Sequence, residues 1–141
     1  MPFALDPSTP FGARVERRLR EDLILWLTTT RADLTPLPAP IWFLWDGQSV
    51  LIYSQPDGLK LRNIAQRPRV ALNFDGDSQG GDIIVITGDA ALDPTAPSVT
   101  ALPAYSEKYR DGIAGLGMTP ESFAADYSVA IRVTPTNLHG H

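Results

Sequence analysis

Apolar and polar positions along the chain fall into runs whose period changes several times, and those changes mark the elements. From Phe11, apolar residues recur every four positions at Val15, Leu19 and Leu23, with Arg14, Arg17, Arg18 and Arg20 between them. That is the spacing of a helix that buries one face and solvates the other. Thr9-Pro10 precedes it, a hydroxyl N-cap followed by proline at the first helical position, and the helix is predicted to end near Asp22. The run from Leu23 is continuously apolar until it turns to Thr28-Thr29-Thr30. Periodicity alone suits helix or strand, and the β-branched ending favours a strand. In Thr35-Pro36-Leu37-Pro38-Ala39-Pro40 the prolines occupy alternate positions. In a strand their missing N–H donors fall on one edge, which is predicted to be bulged, exposed or unpaired.

Two apolar runs, Ile41 to Trp45 and Val50 to Ser54, flank Asp46-Gly47. Asp-Gly between strand-like runs predicts a hairpin with positive φ at both turn residues. Ile41, Phe43 and Trp45 lie on one face of the first run and Trp42 and Leu44 on the other, so both faces are apolar. Either the strand is buried on both sides, or its second face needs a cover such as a subunit or a planar ligand. Gln55-Pro56-Asp57-Gly58 is a turn signal, and Leu59 to Gln66, free of glycine, proline and carboxylates, reads as a short helix closed by Arg67-Pro68.

Val70, Leu72 and Phe74 alternate as the inward positions of a half-buried strand, and Gly76 to Gly81 is a loop. Asp82 to Leu92 reads as a long strand with Gly88 at a bulge or close backbone approach. Pro94 to Gly117 is a mostly helical excursion divided at Pro103, with Tyr105, Tyr109 and Ile113 on its packed side, and Thr119-Pro120 opens another short helix. Tyr127, Val129, Ile131 and Val133 alternate in a final strand, followed by a polar tail from Pro135 to His141. Six strands with peripheral helices and no strand–helix alternation predict a mainly β (α+β) fold, a small closed antiparallel barrel. Residues 1–141 suit one domain, with a loose arm over residues 1–9.

Composition narrows the chemistry. The net charge of −4 argues against a polyanion binder, yet between Gly58 and Val70 there are Lys60, Arg62, Arg67 and Arg69 and no carboxylate. A small anionic ligand fits better than nucleic acid. The absence of cysteine removes thiolate nucleophiles and zinc–thiolate sites, and the two histidines, His139 and His141, lie in the last three residues, so no metal site is expected. Nothing resembles a secretory signal or reaches membrane-spanning length, which predicts a cytoplasmic protein with no membrane partner.

Lys60 falls in the first turn of the short helix, where backbone N–H groups lack partners and the dipole is positive. Asn63 and Arg67 follow at i+3 and i+7, and Ser54 offers a hydroxyl from the strand before it. The pattern describes a phosphate seat, and equally a solvated basic helix with ordinary capping.

With these residues in view, the chain resembles the pyridoxamine 5'-phosphate oxidase-like split-barrel proteins, in particular the branch that uses the deazaflavin coenzyme F420. Carrying the resemblance are Pro40-Ile41-Trp42-Phe43 before Asp46-Gly47, the run from Ser54 to Arg69, Gly88-Asp89-Ala90, Ile131-Arg132-Val133-Thr134-Pro135 and Gly140-His141. The resemblance implies a six-stranded, FMN-binding-like split β-barrel homodimer with flavin-type sites between subunits. It implies that Ser54, Gln55, Lys60 and Asn63 hold the coenzyme phosphate while Pro40, Ile41, Trp42 and Phe43 lie along the ring. Many relatives carry an arginine two residues before the lysine, where this chain has Gly58, which leaves fewer contacts to a phosphate. The implied activity is hydride transfer from F420 to a small conjugated acceptor. FMN is the alternative coenzyme, and a non-catalytic cofactor-binding dimer is the alternative role. No catalytic base is named; Tyr105, Tyr109 and Tyr127 are candidate proton donors if they face the site.

Overall fold

A computed structural model describes residues 3–141. Thr9 Oγ1 accepts from the Gly12 N–H at 3.0 Å, and with Pro10 in the first turn it starts helix α1, Pro10–Glu21. Val15 and Leu19 are fully buried on its inner side. Arg17 and Arg20 pair along the helix with Glu21 and Glu16 as a wet face should. Arg14 and Arg18 instead reach Asp82 at 2.8 and 3.0 Å, and Arg18 lies over the Phe74 ring, so they fix the helix to the loop ahead of a strand. The arm is tied down from Phe3, whose N–H donates to the Thr136 carbonyl at 2.6 Å and whose ring meets Trp45 edge-on. The first two positions of that expected loose arm, residues 1–2, lie outside the described residues.

Seven strands form one antiparallel sheet: β1 Leu25–Thr30, β2 Pro36–Ile41, β3 Leu44–Trp45, β4 Val50–Ser54, β5 Arg69–Asn73, β6 Ile84–Leu92 and β7 Val129–Gly140. Their order is β2-β1-β5-β6-β7-β4-β3. The count is seven where six were expected, because the run Ile41 to Trp45 is two strands. Ile41 ends β2 at one edge of the sheet, and Leu44-Trp45 form β3 at the opposite edge. Laid flat, those edges would stand roughly 29 Å apart at about 4.8 Å per strand. The three-residue step from Ile41 to Leu44 spans at most about 11 Å. The sheet therefore has to curl until its edges approach, which makes a barrel split along one seam, with Trp42-Phe43 crossing the seam.

The alternate prolines of β2 lie on the outermost strand, paired only with β1, where missing donors leave no ladder bond unmade. The hairpin from β3 to β4 differs from expectation in its turn. Only Gly47 has positive φ, and Asp46 closes a longer loop by accepting from the N–H groups of Gln48 and Ser49 at 2.8 and 2.7 Å. At Gly88 the ladder between β6 and β7 shifts register, and an added Cβ would lie 2.4 Å from the Thr134 carbonyl oxygen. The polar segment from Pro135 is not a tail: β7 runs on through it, with Val85 opposite His139 and Ile84 opposite Gly140. Tyr127, expected in that strand, ends the preceding helix instead.

Inside the barrel pack Leu27, Phe43, Ile52, Leu72, Ile86, Ile131 and their neighbours. A second apolar cluster covers the outer face of β4 and β7, where Leu51, Tyr53 and Ala130 meet helices α3 (Pro103–Lys108), α4 (Arg110–Gly115) and α5 (Pro120–Asp126). Helix α2, Leu59–Gln66, follows β4 with the predicted limits. Among the described residues no helix is long and apolar enough to cross a membrane.

Candidate functional site

The site begins where the chain crosses the seam. Away from either sheet edge, the Phe43 peptide groups lack ladder partners, and α3 supplies them. The Phe43 N–H donates to the Tyr109 hydroxyl at 2.9 Å, and that hydroxyl donates to the Leu23 carbonyl at 2.8 Å. Lys108 Nζ donates to the Phe43 carbonyl at 3.0 Å and lies 3.8 Å above the Phe43 ring. Burial lowers the Lys108 pKa to about 8, against an opposing pull from Asp22, and burial raises that of Tyr109, which stays a neutral phenol. This clasp buries Phe43 in the barrel and leaves Trp42 on the outer side.

Trp42 is half-buried there. Its indole stacks on Tyr109 at 4.6 Å and 5° and on Phe123 at 5.5 Å and 18°, and Phe123 stacks in turn on Tyr127 at 4.2 Å. The close fit explains Gly112, where a Cβ would stand 2.9 Å from the indole. The cover expected for the second face of this run is thus supplied by the chain's own helices.

Between the stack and α2 lies a cavity of about 320 Å³. Pro40, Ile41 and Trp42 form one wall, Tyr53 and Tyr105 another, and Phe123, Tyr127 and the exposed Leu116 the rim. Lys60 enters from the first turn of α2, and burial depresses its pKa below the ordinary lysine value. No side chain caps that turn, whose N-cap is Gly58. A partly dehydrated ammonium therefore stands at one end of an aromatic slot. A cavity of this size admits a flat ring system but not a whole dinucleotide-sized coenzyme, whose remainder would extend along the surface.

Of the residues singled out from the sequence, Pro40, Ile41, Trp42 and Lys60 converge on this cavity. The others lie elsewhere. Phe43 is fully buried on the opposite side of the crossing. Ser54 is buried behind the helix start and donates to the Gln55 carbonyl at 2.9 Å. Gln55 borders a separate open recess with Asp57 and Asp126, whose carboxylates suit an anion poorly. Asn63 turns into the core, where its amide donates to Thr29 Oγ1 at 3.0 Å, and Arg67 donates to the Thr30 carbonyl at 2.8 Å. Helical spacing put Lys60, Asn63 and Arg67 on one side, but α2 packs that side against β1, and only Lys60, at its start, escapes.

Sequence reasoning did not place Tyr53, Leu116 or Phe123 at the site, and it gave Tyr105 as a core position by its helical spacing or a proton donor if it faced the site. Tyr105 is indeed fully buried, yet it also lines the cavity. Only the docking of α3 and α5 on β4 makes the difference, and no local signal encodes that. A neighbouring recess of about 400 Å³ shares Tyr53 and Tyr127 with the cavity and continues toward Leu92 and Pro97.

Comparison with known proteins follows the same lines. The family described as Pyridoxamine 5'-phosphate oxidase matches residues 11–141. Among solved structures, one described as an F420 reductase is 27% identical, with a TM-score of 0.65, covering 88% of this chain and 94% of that one. A putative pyridoxamine 5'-phosphate oxidase from Listeria innocua is 21% identical with a TM-score of 0.63, covering 90% and 94%. HutZ, described as a heme storage protein from Vibrio cholerae, is 15% identical with a TM-score of 0.66, covering 98% and 95%. At these last two identities the likeness speaks for the fold. No curated protein sequence matches.

Proposed function

The chain belongs to the pyridoxamine 5'-phosphate oxidase family, and on that footing we propose that it is an oxidoreductase that binds a flavin-type coenzyme in the cavity beside Trp42. The coenzyme we favour is the deazaflavin F420, with a small conjugated molecule as hydride acceptor. The observation that carries this reading is the convergence of Lys60, at an uncapped helix start, and the stacked rings of Trp42 and Phe123 on one slot. A flat tricycle with an anionic tail meets both needs at once, through ring contact and through charge-assisted hydrogen bonds.

When bound, such a coenzyme supplies the hydride chemistry itself. The chain's part is to hold and to exclude. Pro40, Ile41 and Trp42 form the ring platform, fixed from behind by Tyr109 and Lys108 through Phe43. Lys60 and the first-turn N–H groups of α2 hold the anion, and the aromatic rim removes water from around the ring. Heme storage, the role described for HutZ, draws no support from the cavity, whose lining includes no histidine, cysteine or methionine. The proposal includes a homodimer with coenzyme sites at the subunit boundary. In its favour, Leu116 stands 55% exposed at the cavity, an apolar rim residue that a second copy would cover.

Fluorescence titration of purified protein with F420 and with FMN at low salt tests the reading. Saturable F420 binding is expected. Tight FMN binding with none of F420 would replace the coenzyme and keep the site, and no binding of either would refute the assignment. Turnover of quinones, enones and tetrapyrroles with the reduced coenzyme separates an enzyme from a carrier. Light scattering tests the dimer.

A further inference from the structure

The recess beside the cavity is built differently from it. Its floor is the outer face of β4 and β7 at Tyr53, Val129 and Ala130, and Ala124 of α5 with Tyr127 forms one wall. The other wall is the chain that follows β6, from Leu92 to Ser98. Bonds to the sheet fix that wall in place. The Asp93 N–H donates to the Ala130 carbonyl at 2.9 Å, the Tyr53 hydroxyl donates to the Pro97 carbonyl at 2.5 Å, and Arg132 Nε donates to Asp93 Oδ2 at 2.8 Å. The facing wall is held by the capping box of Thr119 and Ser122 and by the stack of Tyr127 on Phe123 at 4.2 Å. The space between them is therefore a formed recess of about 400 Å³, within the size range of small-molecule sites.

Its chemistry is set by which polar groups are already engaged. Among the described residues of the lining, Asp93 alone carries a charge. Its Oδ2 takes Arg132, and its Oδ1 takes the Thr95 N–H and hydroxyl at 3.0 and 2.6 Å. Those bonds, the Thr95 hydroxyl first, hold the Asp93 pKa down to about 2, so the carboxylate stays ionised and committed to its partners. The Tyr53 hydroxyl is spent on Pro97, and Ser98 Oγ pairs with Thr100 Oγ1 at 3.1 Å. What remains for a ligand is carbon, and Leu92 at the edge is left 46% exposed. The ring slot, in contrast, ends in the ammonium of Lys60. An uncharged apolar ring gains by leaving water for such a recess, whereas an ion would be dehydrated there without a free partner.

We propose that this recess is a second small-molecule site, separate from the coenzyme slot, that takes an uncharged, largely apolar compound of one or two rings. The site stands independently of the coenzyme reading and shares with that slot only the wall of Tyr53 and Tyr127.

Calorimetric titration of the free protein with 2-naphthylmethanol and with 2-naphthoate, the same bicycle without and with a charge, tests it. The alcohol is expected to bind at one site. The naphthoate should bind at least about tenfold more weakly, because its carboxylate would be dehydrated near Asp93 while Arg132 is already engaged by Asp93 and Asp46. Ser98→Phe and Ala124→Phe fill the recess from its two walls, and each should weaken the alcohol by about tenfold or more, with the Tm reporting that the fold is kept. Lys60→Ala should leave the alcohol unchanged, and the alcohol should bind equally with FMN present. Failure of the alcohol to bind, equal affinity for the naphthoate, or binding that both filling variants leave intact overturns the inference. Mutual exclusion with FMN also overturns it, by placing the bicycle in the coenzyme slot. If neither F420 nor FMN binds, the coenzyme reading falls, while the alcohol titration still decides this one.

Discussion

Replacing Tyr109 by phenylalanine tests the joint on which the barrel and its site both depend. The substitution keeps the ring that stacks on Trp42 at 4.6 Å and deletes one oxygen. That oxygen accepts from the Phe43 N–H and donates to the Leu23 carbonyl, while the Phe43 carbonyl keeps Lys108. The Phe43 N–H belongs to a fully buried residue between sheet edges, with no ladder strand to take it over, so its loss costs about 1–3 kcal/mol. Exposed Leu23 can replace its partner with water, at about 0.5 kcal/mol. The expected cost is therefore about 1.5–3.5 kcal/mol, a substantial part of the roughly 5–15 kcal/mol that holds such a domain together. In a chain of this size it should lower the Tm by about 5–12 °C. Urea unfolding of the wild type and Tyr109→Phe makes the comparison. The midpoint should fall for Tyr109→Phe with the slope m unchanged. If Tyr109→Phe costs less than about 1 kcal/mol, the seam is held by something else.

Three further outcomes follow from the same geometry. Lys60→Ala should weaken the phosphate-bearing coenzyme by about 1.5–3 kcal/mol in a fluorescence titration, while unchanged affinity would put the anion elsewhere. Gly112→Ala places a methyl 2.9 Å from the Trp42 indole and should cost about 1–3 kcal/mol in thermal unfolding, together with a change in near-UV circular dichroism as the stack shifts. Lys108 has a folded pKa of about 8 against an ordinary 10.5, so between those values the unfolded chain binds more protons than the folded one. Its contribution to stability must then rise with pH from about 8 toward 10, and Lys108→Met should abolish that rise in denaturation curves taken across the window.

Much of this molecule was legible in local order. The hydroxyl–proline pairs at Thr9-Pro10 and Thr119-Pro120 start helices because a cap and a pre-set φ act within a few residues. The alternate prolines marked an edge strand, and Gly88 marked the bulge, because each is a constraint the backbone carries by itself. Lys60 at a helix start beside an aromatic run was visible for the same reason. The fate of that run was not. Nothing in Ile41 to Trp45 says that it breaks after Ile41 to join two sheet edges, since a strand and a seam crossing share one hydrophobic pattern.

By itself, then, the sequence determined most of the helices and strands and which edge is free, through interactions within a few residues. The tertiary structure decided how far the sheet curls, that the polar stretch from Pro135 is strand rather than tail, and that helices α3 to α5 cover Trp42. It also decided that Asn63 belongs to the core and Tyr105 to the cavity. Those outcomes depend on contacts between residues far apart in the chain, such as Phe43 with Tyr109, whose partners a one-dimensional pattern of apolar and polar positions does not specify.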